Sequence, residues 1–276
     1  ADKRRTEIIQ GTFDLEDEDL IPVEDVIISL TSNGYVKRMP VDTYKTQNRG
    51  GRGIKGMGTN EDDIVDALIH MSTHDDLLFF TNFGKVYRLK GYNIPNASRT
   101  AKGLPVVNLL TLEKNELVSE LVPIKKDSEA EYLCFVTKKG LIKRVKIQDF
   151  DYIPRKGKIA ITLKDDDELC SVKATSGEDE IIIAGSNGKA VRFDENEVRV
   201  MGRTASGVHG FNTDGSTVVG VATSTEGKYL LAVSENGYGK RTEIDEYRKT
   251  SRGTKGVKTM NITSKTGSLI NVRAVN

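Results

Sequence analysis

Apolar and polar positions along the chain follow one pattern that recurs five times: an apolar run, a short polar turn ending in Gly, and a second short run ending in Arg. The copies read VIISLTSNGYVKR, LLFFTNFGKVYR, YLCFVTKKGLIKR, IIIAGSNGKAVR and YLLAVSENGYGKR. Their glycines are Gly34, Gly84, Gly140, Gly188 and Gly237, spaced by 50, 56, 48 and 49 residues, and an Arg follows each by four. Two β-branched or aromatic runs flanking a polar turn predict a β-hairpin in every copy. Three of the turns are Asn-Gly, whose tolerance of positive φ predicts type I′ geometry. About thirty residues after each glycine comes a further extended apolar segment: IVDALIHM, LVSELVPI, LCSVKAT, TVVGVATS and SLINVRAV. No long amphipathic helix is present in the pattern.

A repeat of about fifty residues with three or four strands predicts an all-β fold of radially arranged blades, a propeller-like disc rather than a sandwich. The predicted blades span about 24–73, 74–129, 130–178, 179–227 and 228–276. Residues 1–23, including FDLEDEDL, lie outside the repeat and are predicted to be an acidic, solvated connector. The arginines at four positions past the hairpin glycines, Arg38, Arg88, Arg144, Arg192 and Arg241, share a strand face with the residue at Gly+2. They are predicted to be partly buried anchors.

The nine residues from thirteen to twenty-one positions after each hairpin glycine carry the candidate chemistry. They read QNRGGRGIK from Gln47, ASRTAKGLP from Ala97, IPRKGKIAI from Ile153, MGRTASGVH from Met201 and TSRGTKGVK from Thr250. Together they hold twelve Lys or Arg and no Asp or Glu in 45 residues, where average composition would place about six or seven of each sign. Equivalent loops of a ring occupy equivalent places on its rim, so these windows predict a curved basic track. Glycines let the backbone approach a polyanion and present N–H groups beside the cations. Duplex DNA fits, because its phosphates repeat along such a track and can be met without reading bases.

Composition sharpens this picture. The chain has 276 residues, enough for a sizeable core, and its 41 Lys and Arg against 40 Asp and Glu suggest neutrality. Residues 1–25 hold nine acids and three bases, however, which leaves the remainder with a net charge of +7. A basic body follows an acidic leader. Apolar runs reach only five residues, so no membrane-spanning helix is expected, and the charged N-terminus has no apolar stretch behind it to make a secretory signal. Cys134 and Cys170 lie far from any metal-ligand spacing and are read as small buried hydrophobes of a reducing cytoplasm.

At the first window the sequence becomes specific. Gln47-Asn48-Arg49-Gly50-Gly51-Arg52-Gly53 resembles the seven-residue box of the C-terminal domain of the bacterial DNA gyrase A subunit, in the type IIA topoisomerase family: Gln, a basic residue, Arg-Gly-Gly, a basic residue and Gly. Lys3-Arg4-Arg5-Thr6-Glu7-Ile8 resembles the junction where that family's cleavage domain ends, so the resemblance covers essentially the whole chain. It implies a β-pinwheel, a propeller-like disc whose blades exchange strands. It further implies sequence-nonspecific DNA binding, bending and wrapping around the rim, which directs strand passage toward ATP-dependent negative supercoiling. The expected DNA-binding set is Gln47, Asn48, Arg49, Gly50, Gly51, Arg52, Gly53 and Lys55 at the box. To these the other windows add Arg99, Lys102, Arg155, Lys156, Lys158, Arg203, Arg252, Lys255 and Lys258.

The same resemblance places catalysis outside this chain. Cleavage chemistry would belong to the preceding domain and ATP hydrolysis to the gyrase B subunit, with ATP and Mg2+ implied only for an A2B2 holoenzyme. The isolated domain is expected to be monomeric and non-catalytic, in the bacterial cytoplasm at the nucleoid. Two alternatives stand beside this reading: the equivalent domain of the topoisomerase IV A subunit, whose relatives lack an intact box, and a propeller-like protein-interaction module. Three departures are visible. Asn48 occupies a position that is usually basic. Five repeats stand where the gyrase pattern has six, which leaves open a truncated chain, a five-bladed ring or an open one. The third repeat places Gly157 seventeen residues after its hairpin glycine, whereas Gly53, Gly103, Gly207 and Gly256 lie at nineteen, so its loop is expected to project differently.

Two weaker motifs are declined. Gly51, Gly53 and Gly56 satisfy G-x-G-x-x-G, yet no apolar strand leads into them and Gly58 follows where a helix would propagate. His70 and His74 have metal-like spacing beside Asp75 and Asp76 but no third ligand pattern.

Overall fold

The computed structural model describes residues 17–43 and 63–276. All five hairpins form: Asp25–Thr31 with Tyr35–Pro40, Asp76–Thr81 with Lys85–Lys90, Tyr132–Thr137 with Leu141–Lys146, Glu180–Gly185 with Lys189–Asp194, and Tyr229–Ser234 with Gly239–Glu243. The later apolar segments become Val65–Ser72, Val118–Ile124, Leu169–Thr175, Val218–Thr223 and Leu269–Val275. Each pairs antiparallel with the first strand of its own hairpin. The described residues contain no α-helix, only short 3-10 turns.

The hairpin turns differ from the type I′ expectation. Asn33, Asn187 and Asn236 are not among the described residues with positive φ, whereas all five hairpin glycines are, at +73° to +89°. The N–H of each glycine donates to the carbonyl three residues earlier, as from Gly34 to Thr31 at 2.9 Å and from Gly140 to Thr137 at 3.0 Å. These are three-residue loops closed by a left-handed glycine, the geometry that commonly follows a type I turn. Only the last position requires positive φ. That explains why glycine is present in every copy while the residue before it varies among Asn, Phe and Lys.

Blades are joined by exchange. A two-residue strand from each later repeat adds to the second hairpin strand of the repeat before it. Leu104–Pro105 pairs with Tyr35 and Val36, Lys158–Ile159 with Val86 and Lys85, Val208–His209 with Ile142 and Leu141, and Val257–Lys258 with Ala190 and Lys189. Four sheets are therefore four-stranded, and the fifth has three strands among the described residues. In each four-stranded sheet the long apolar strand sits at one edge and the lent strand at the other. The long strands pack against one another around a central channel of about 510 Å³ lined by Leu68, Glu120, Ser171, Gly220 and Asn271 among others. The lent strands consequently mark the outer rim.

The core lies between blades rather than within one. Strand Asp76–Thr81 shows why its apolar run is continuous. Leu77 and Phe79 pack toward Ile28, Leu30 and Val36 of the first blade, while Leu78 and Phe80 pack toward Leu133, Phe135 and Phe150 of the third. Phe80 and Phe135 meet edge to face with centroids 5.3 Å apart. A strand with both faces buried has no polar face, so strict alternation is lost.

Three of the five predicted anchor arginines cross the same seams, whereas Arg241 is exposed and lies over the Tyr229 ring of its own hairpin, contrary to the expectation of burial. Arg144, 5% exposed, donates from Nε to the Val198 carbonyl at 2.8 Å and from Nη1 to Glu195 at 3.2 Å. The fully buried Glu195 also accepts from Thr175 Oγ1 and from the N–H groups of Gly177 and Asp179. Arg192 repeats this one blade on, bonding to Glu180 at 2.5 Å and to the carbonyls of Ile244 and Tyr247 at 3.0 Å. Arg88 reaches Asp76 at 2.6 Å and the carbonyls of Phe150 and Asp151.

The last residues of the leader are docked. His74 Nε2 lies 2.8 Å from the Ile21 carbonyl, Thr73 Oγ1 donates to Pro22, and Glu18 lies 3.6 Å from Lys90.

Candidate nucleic-acid interface

Four of the five basic windows fall in the described residues. The first, residues 47–55 with Gln47, Asn48, Arg49, Gly50, Gly51, Arg52, Gly53 and Lys55, lies outside them. Every described window runs into a lent strand, so all four lie on the rim at equivalent addresses. Gly103, Gly157, Gly207 and Gly256 each directly precede the lent strand with φ between +70° and +101°. A Cβ there would meet the backbone of the preceding hairpin, at 2.6 Å from the Val36 carbonyl oxygen for Gly103 and 2.2 Å from that of Ala190 for Gly256. These glycines set how closely each loop folds onto the sheet.

Gly157 occupies this same place despite its shortened spacing. The two-residue deficit is absorbed upstream. The loops of the second, fourth and fifth repeats each make a parallel bridge to the preceding hairpin arginine, Arg38 with Asn96, Arg144 with Val200 and Arg192 with Lys249. In the third repeat no such bridge appears among the described residues, and the Arg88 side chain reaches the Phe150 and Asp151 carbonyls instead.

The predicted cations divide into two groups. Lys102, Arg155, Lys156 and Lys258 are exposed, and Arg155 and Lys156 make no ion pair or hydrogen bond among the described residues. The others, except Arg99, are engaged through their side chains. Half-buried Arg203 donates to the Ile159 carbonyl at 2.6 Å, tying the fourth loop to the strand lent by the third. Arg252 donates to the carbonyls of His209 at 2.8 Å and Glu197 at 3.0 Å, tying the fifth loop to the fourth in the same way. Lys158 bonds to the Asp149 carbonyl at 2.5 Å, and burial together with the charge of Arg203 holds its ammonium below the usual lysine range. Lys255 pairs with Asp214 at 3.0 Å, and that bond and charge hold the Asp214 carboxyl below its ordinary value. Arg99 is half-buried, its Nε enclosed without a partner among the described residues.

Two lysines beneath the loops escaped the sequence reading. Lys37 and Lys143, at Gly+3 in their hairpins, are 2% and 0% exposed. Lys37 Nζ donates to the carbonyls of Ser98, Arg99 and Ala101 at 3.2, 2.7 and 2.6 Å. Lys143 Nζ donates to those of Ala160, Gly202 and Arg203 at 2.7, 3.3 and 2.6 Å. The signal available was Lys at Gly+3 in three of five copies, Lys37, Lys143 and Lys240.

Cations at the loop crests, glycine-backed main chain and carbonyls drawn inward suit an extended polyanion. Among the described residues no three His, Cys, Asp or Glu side chains gather as a metal-binding group, and no helix is long and apolar enough to cross a membrane. Cys134 is buried, Cys170 is partly so, and burial pushes both thiols up to about 12.

Comparison with known proteins bears on this arrangement. The sequence profile described as DNA gyrase C-terminal domain, beta-propeller, matches residues 25–70, 75–125, 131–176, 179–225 and 228–276, one match per blade. The DNA gyrase A subunit of Staphylococcus epidermidis is 50% identical over 280 residues, covering 100% of this chain and 31% of the relative. That of Ureaplasma parvum is 49% identical over 278 residues, covering 100% and 33%. The chain thus spans about a third of the length of these relatives. Among solved structures, a DNA gyrase A C-terminal domain superposes with a TM-score of 0.76 at 31% identity, covering 92% of this chain and 83% of that one. The C-terminal domain of a DNA topoisomerase IV gives 0.71 at 26% identity, covering 93% and 79%. With the profile repeated over all five blades and half of all residues shared with gyrase A subunits, the chain belongs to the DNA gyrase C-terminal domain family.

Proposed function

We propose that this chain binds duplex DNA without sequence preference and bends it around the rim of the disc. The observation that carries the reading is the recurrence of acid-free basic loops, the four described ones each ending in a strand lent to the neighbouring blade at equivalent rim positions. A phosphate backbone following the rim meets Lys102, then Arg155 and Lys156, then the fourth loop and Lys258, with the box residues adding Arg49, Arg52 and Lys55. Bending a short duplex costs on the order of several kcal/mol, so several loops must act together. Within a gyrase A2B2 holoenzyme in the bacterial cytoplasm, such wrapping presents a neighbouring DNA segment to the cleavage gate and biases strand passage toward negative supercoiling. The chain contributes no catalytic group, and ATP and Mg2+ act elsewhere in that assembly. The box, complete except at Asn48, favours gyrase over topoisomerase IV, whose domain nonetheless shares the fold.

The test is a titration of short and long duplexes at increasing salt. With roughly six to ten phosphates neutralised, affinity for the long duplex should fall about 10³ to 10⁵-fold between about 50 and 200 mM salt. Charge reversal of Arg155 and Lys156 should weaken long-duplex binding by at least roughly tenfold, while reversal of the exposed Lys125 and Lys126, outside the windows, should change it little. A flat salt response, indifference to duplex length or equal effects of the two reversals would refute the rim track.

A further inference from the structure

We propose that Lys37 and Lys143 are positioning residues of the rim. Each buried ammonium holds main-chain carbonyls of the following repeat's basic loop inward, so that the loop's cations and N–H groups are left facing an anionic backbone. This rests on the DNA-binding reading and adds to it a device beneath the surface.

The geometry is that of a cation bound by a loop. An ammonium has three donors and no acceptor, and each lysine meets three carbonyl oxygens. For Lys37 all three belong to one loop, at Ser98, Arg99 and Ala101. For Lys143 two belong to the fourth loop, at Gly202 and Arg203, and one to Ala160 at the end of the third window. Lys143 therefore ties adjacent loops together, and Arg203, whose carbonyl it holds, donates its own guanidinium back to Ile159. Among the described residues no acidic side chain acts on either lysine. Burying an unpaired ammonium is costly, and the blades do not require one. The same position is Tyr87 in the second hairpin and Val191 in the fourth, both buried. A charge retained where Tyr or Val completes an equivalent blade points to the loop above it.

The surroundings of Lys143 add a consequence. Burial, with the positive charge of Arg203 in the loop above, pushes its ammonium down to about 7, and the Phe135 ring lies beneath it with its centroid at 5.2 Å. Arg203 also acts on Lys158 of the neighbouring lent strand, where Asp149 and Asp151 oppose it, whereas Arg203 is the one charge acting on Lys143 among the described residues. Bound phosphates favour the protonated form and raise this value. Affinity for DNA should then be highest below pH 7 and decline as pH rises through it, with proton uptake on binding above pH 7.

The experiment compares the unaltered 276-residue chain with Lys143→Met, which keeps the stem and removes the charge. Val191→Ala serves as a control for destabilisation without loss of an ammonium. Binding to a duplex of roughly 150 base pairs, about one persistence length, is measured between about pH 6 and 8.5. Amide hydrogen exchange is followed at residues 202–205. Lys143→Met should bind roughly tenfold more weakly near pH 6, lose part of the pH dependence and exchange faster at those amides, whereas Val191→Ala should bind as the unaltered chain does. Unchanged binding and exchange in Lys143→Met would overturn the positioning role while leaving the DNA reading intact. So would equal losses in Val191→Ala. Failure of the unaltered chain to bind any duplex would overturn the DNA reading itself, and with it the phosphate-facing role, whatever the exchange shows.

Discussion

The basic loops of the third and fifth repeats look alike in sequence, with three Lys or Arg and no acid in each window, yet they present different surfaces. In the third loop Arg155 and Lys156 stand exposed and unpaired among the described residues. In the fifth, Arg252 is bonded to Glu197 and His209, Lys255 to Asp214, and the adjoining Lys249 to Glu180 and Asp194. The backbones differ too, since the fifth loop is bridged to Arg192 and the third has no counterpart among the described residues. Basic residues counted along the chain are therefore not equal to charges available at the rim. The third loop offers Arg155 and Lys156 to solvent and keeps Lys158 bonded, whereas the fifth uses Arg252 and Lys255 to hold itself and its neighbour in place and leaves Lys258 exposed.

The comparison is probed most severely at the glycines where each loop meets the sheet. Gly256, at φ +70°, would place a Cβ 2.2 Å from the Ala190 carbonyl oxygen, a backbone atom that cannot step aside. Gly157, at φ +73°, would meet the Tyr87 ring at 2.8 Å and the Val86 oxygen at 3.0 Å. Gly256→Ala should cost about 2–4 kcal/mol from left-handed strain plus overlap. Gly157→Ala should cost about 1–2 kcal/mol, because part of the overlap is with a side chain. Thermal melting of the two variants checks this, with a larger drop expected for Gly256→Ala by on the order of 5 °C. Equal drops would mean that the fifth loop is no more tightly seated than the third.

Next in size is the division between staple and free cation. Arg252→Ala loses two bonds to carbonyls and should destabilise the chain by about 1–2 kcal/mol, whereas Arg155→Ala should stay within about 0.5 kcal/mol. In DNA binding at constant temperature the ranking should reverse in character: Arg155→Ala lowers the salt slope by about one, while Arg252→Ala acts through loop order. If both variants melted alike and shifted the salt slope alike, the two loops would be functionally equivalent and their different bonding incidental.

How much of this was legible beforehand follows from the length scale of each feature. The blades were legible because hairpin glycine and Arg recur at fixed offsets over strands of five to eight residues. Strand exchange carried no signal from periodicity, since the lent strands are two residues long. The partial burial of Arg144 and Arg192 could be read from strand alternation, but their partners in the next blade could not. Turn type was misread because Asn-Gly draws attention to the asparagine, when the φ requirement falls on the glycine alone. At the rim, the windows were found by charge. Which of their cations are free depends on carbonyls and carboxylates some 40 to 55 residues away, as for Arg203 with Ile159 and Arg252 with Glu197. Lys37 and Lys143 were passed over because lysine in a strand normally reads as solvent-facing.

The finest distinction is between a cation that is present and one that is silenced by a partner. Asp214 has φ +50° and sits 3.0 Å from Lys255, and Asp166 has φ +60° in the corresponding loop of the third repeat, exposed. Asparagine tolerates the left-handed region as aspartate does, so Asp→Asn at either site removes charge without disturbing the turn. Because Lys255 holds the Asp214 carboxyl below its ordinary value, the pair is intact throughout the neutral range and breaks only as pH falls through that lowered value. Asp214→Asn should therefore free Lys255 and tighten long-duplex binding by roughly two- to threefold at low salt, the gain fading as ionic strength rises. Asp166→Asn should tighten it less, since it removes only a distant negative charge. Equal gains at the two sites would show that net charge alone governs the rim, and that pairing with Asp214 of the fourth repeat does not withhold the fifth loop's cation.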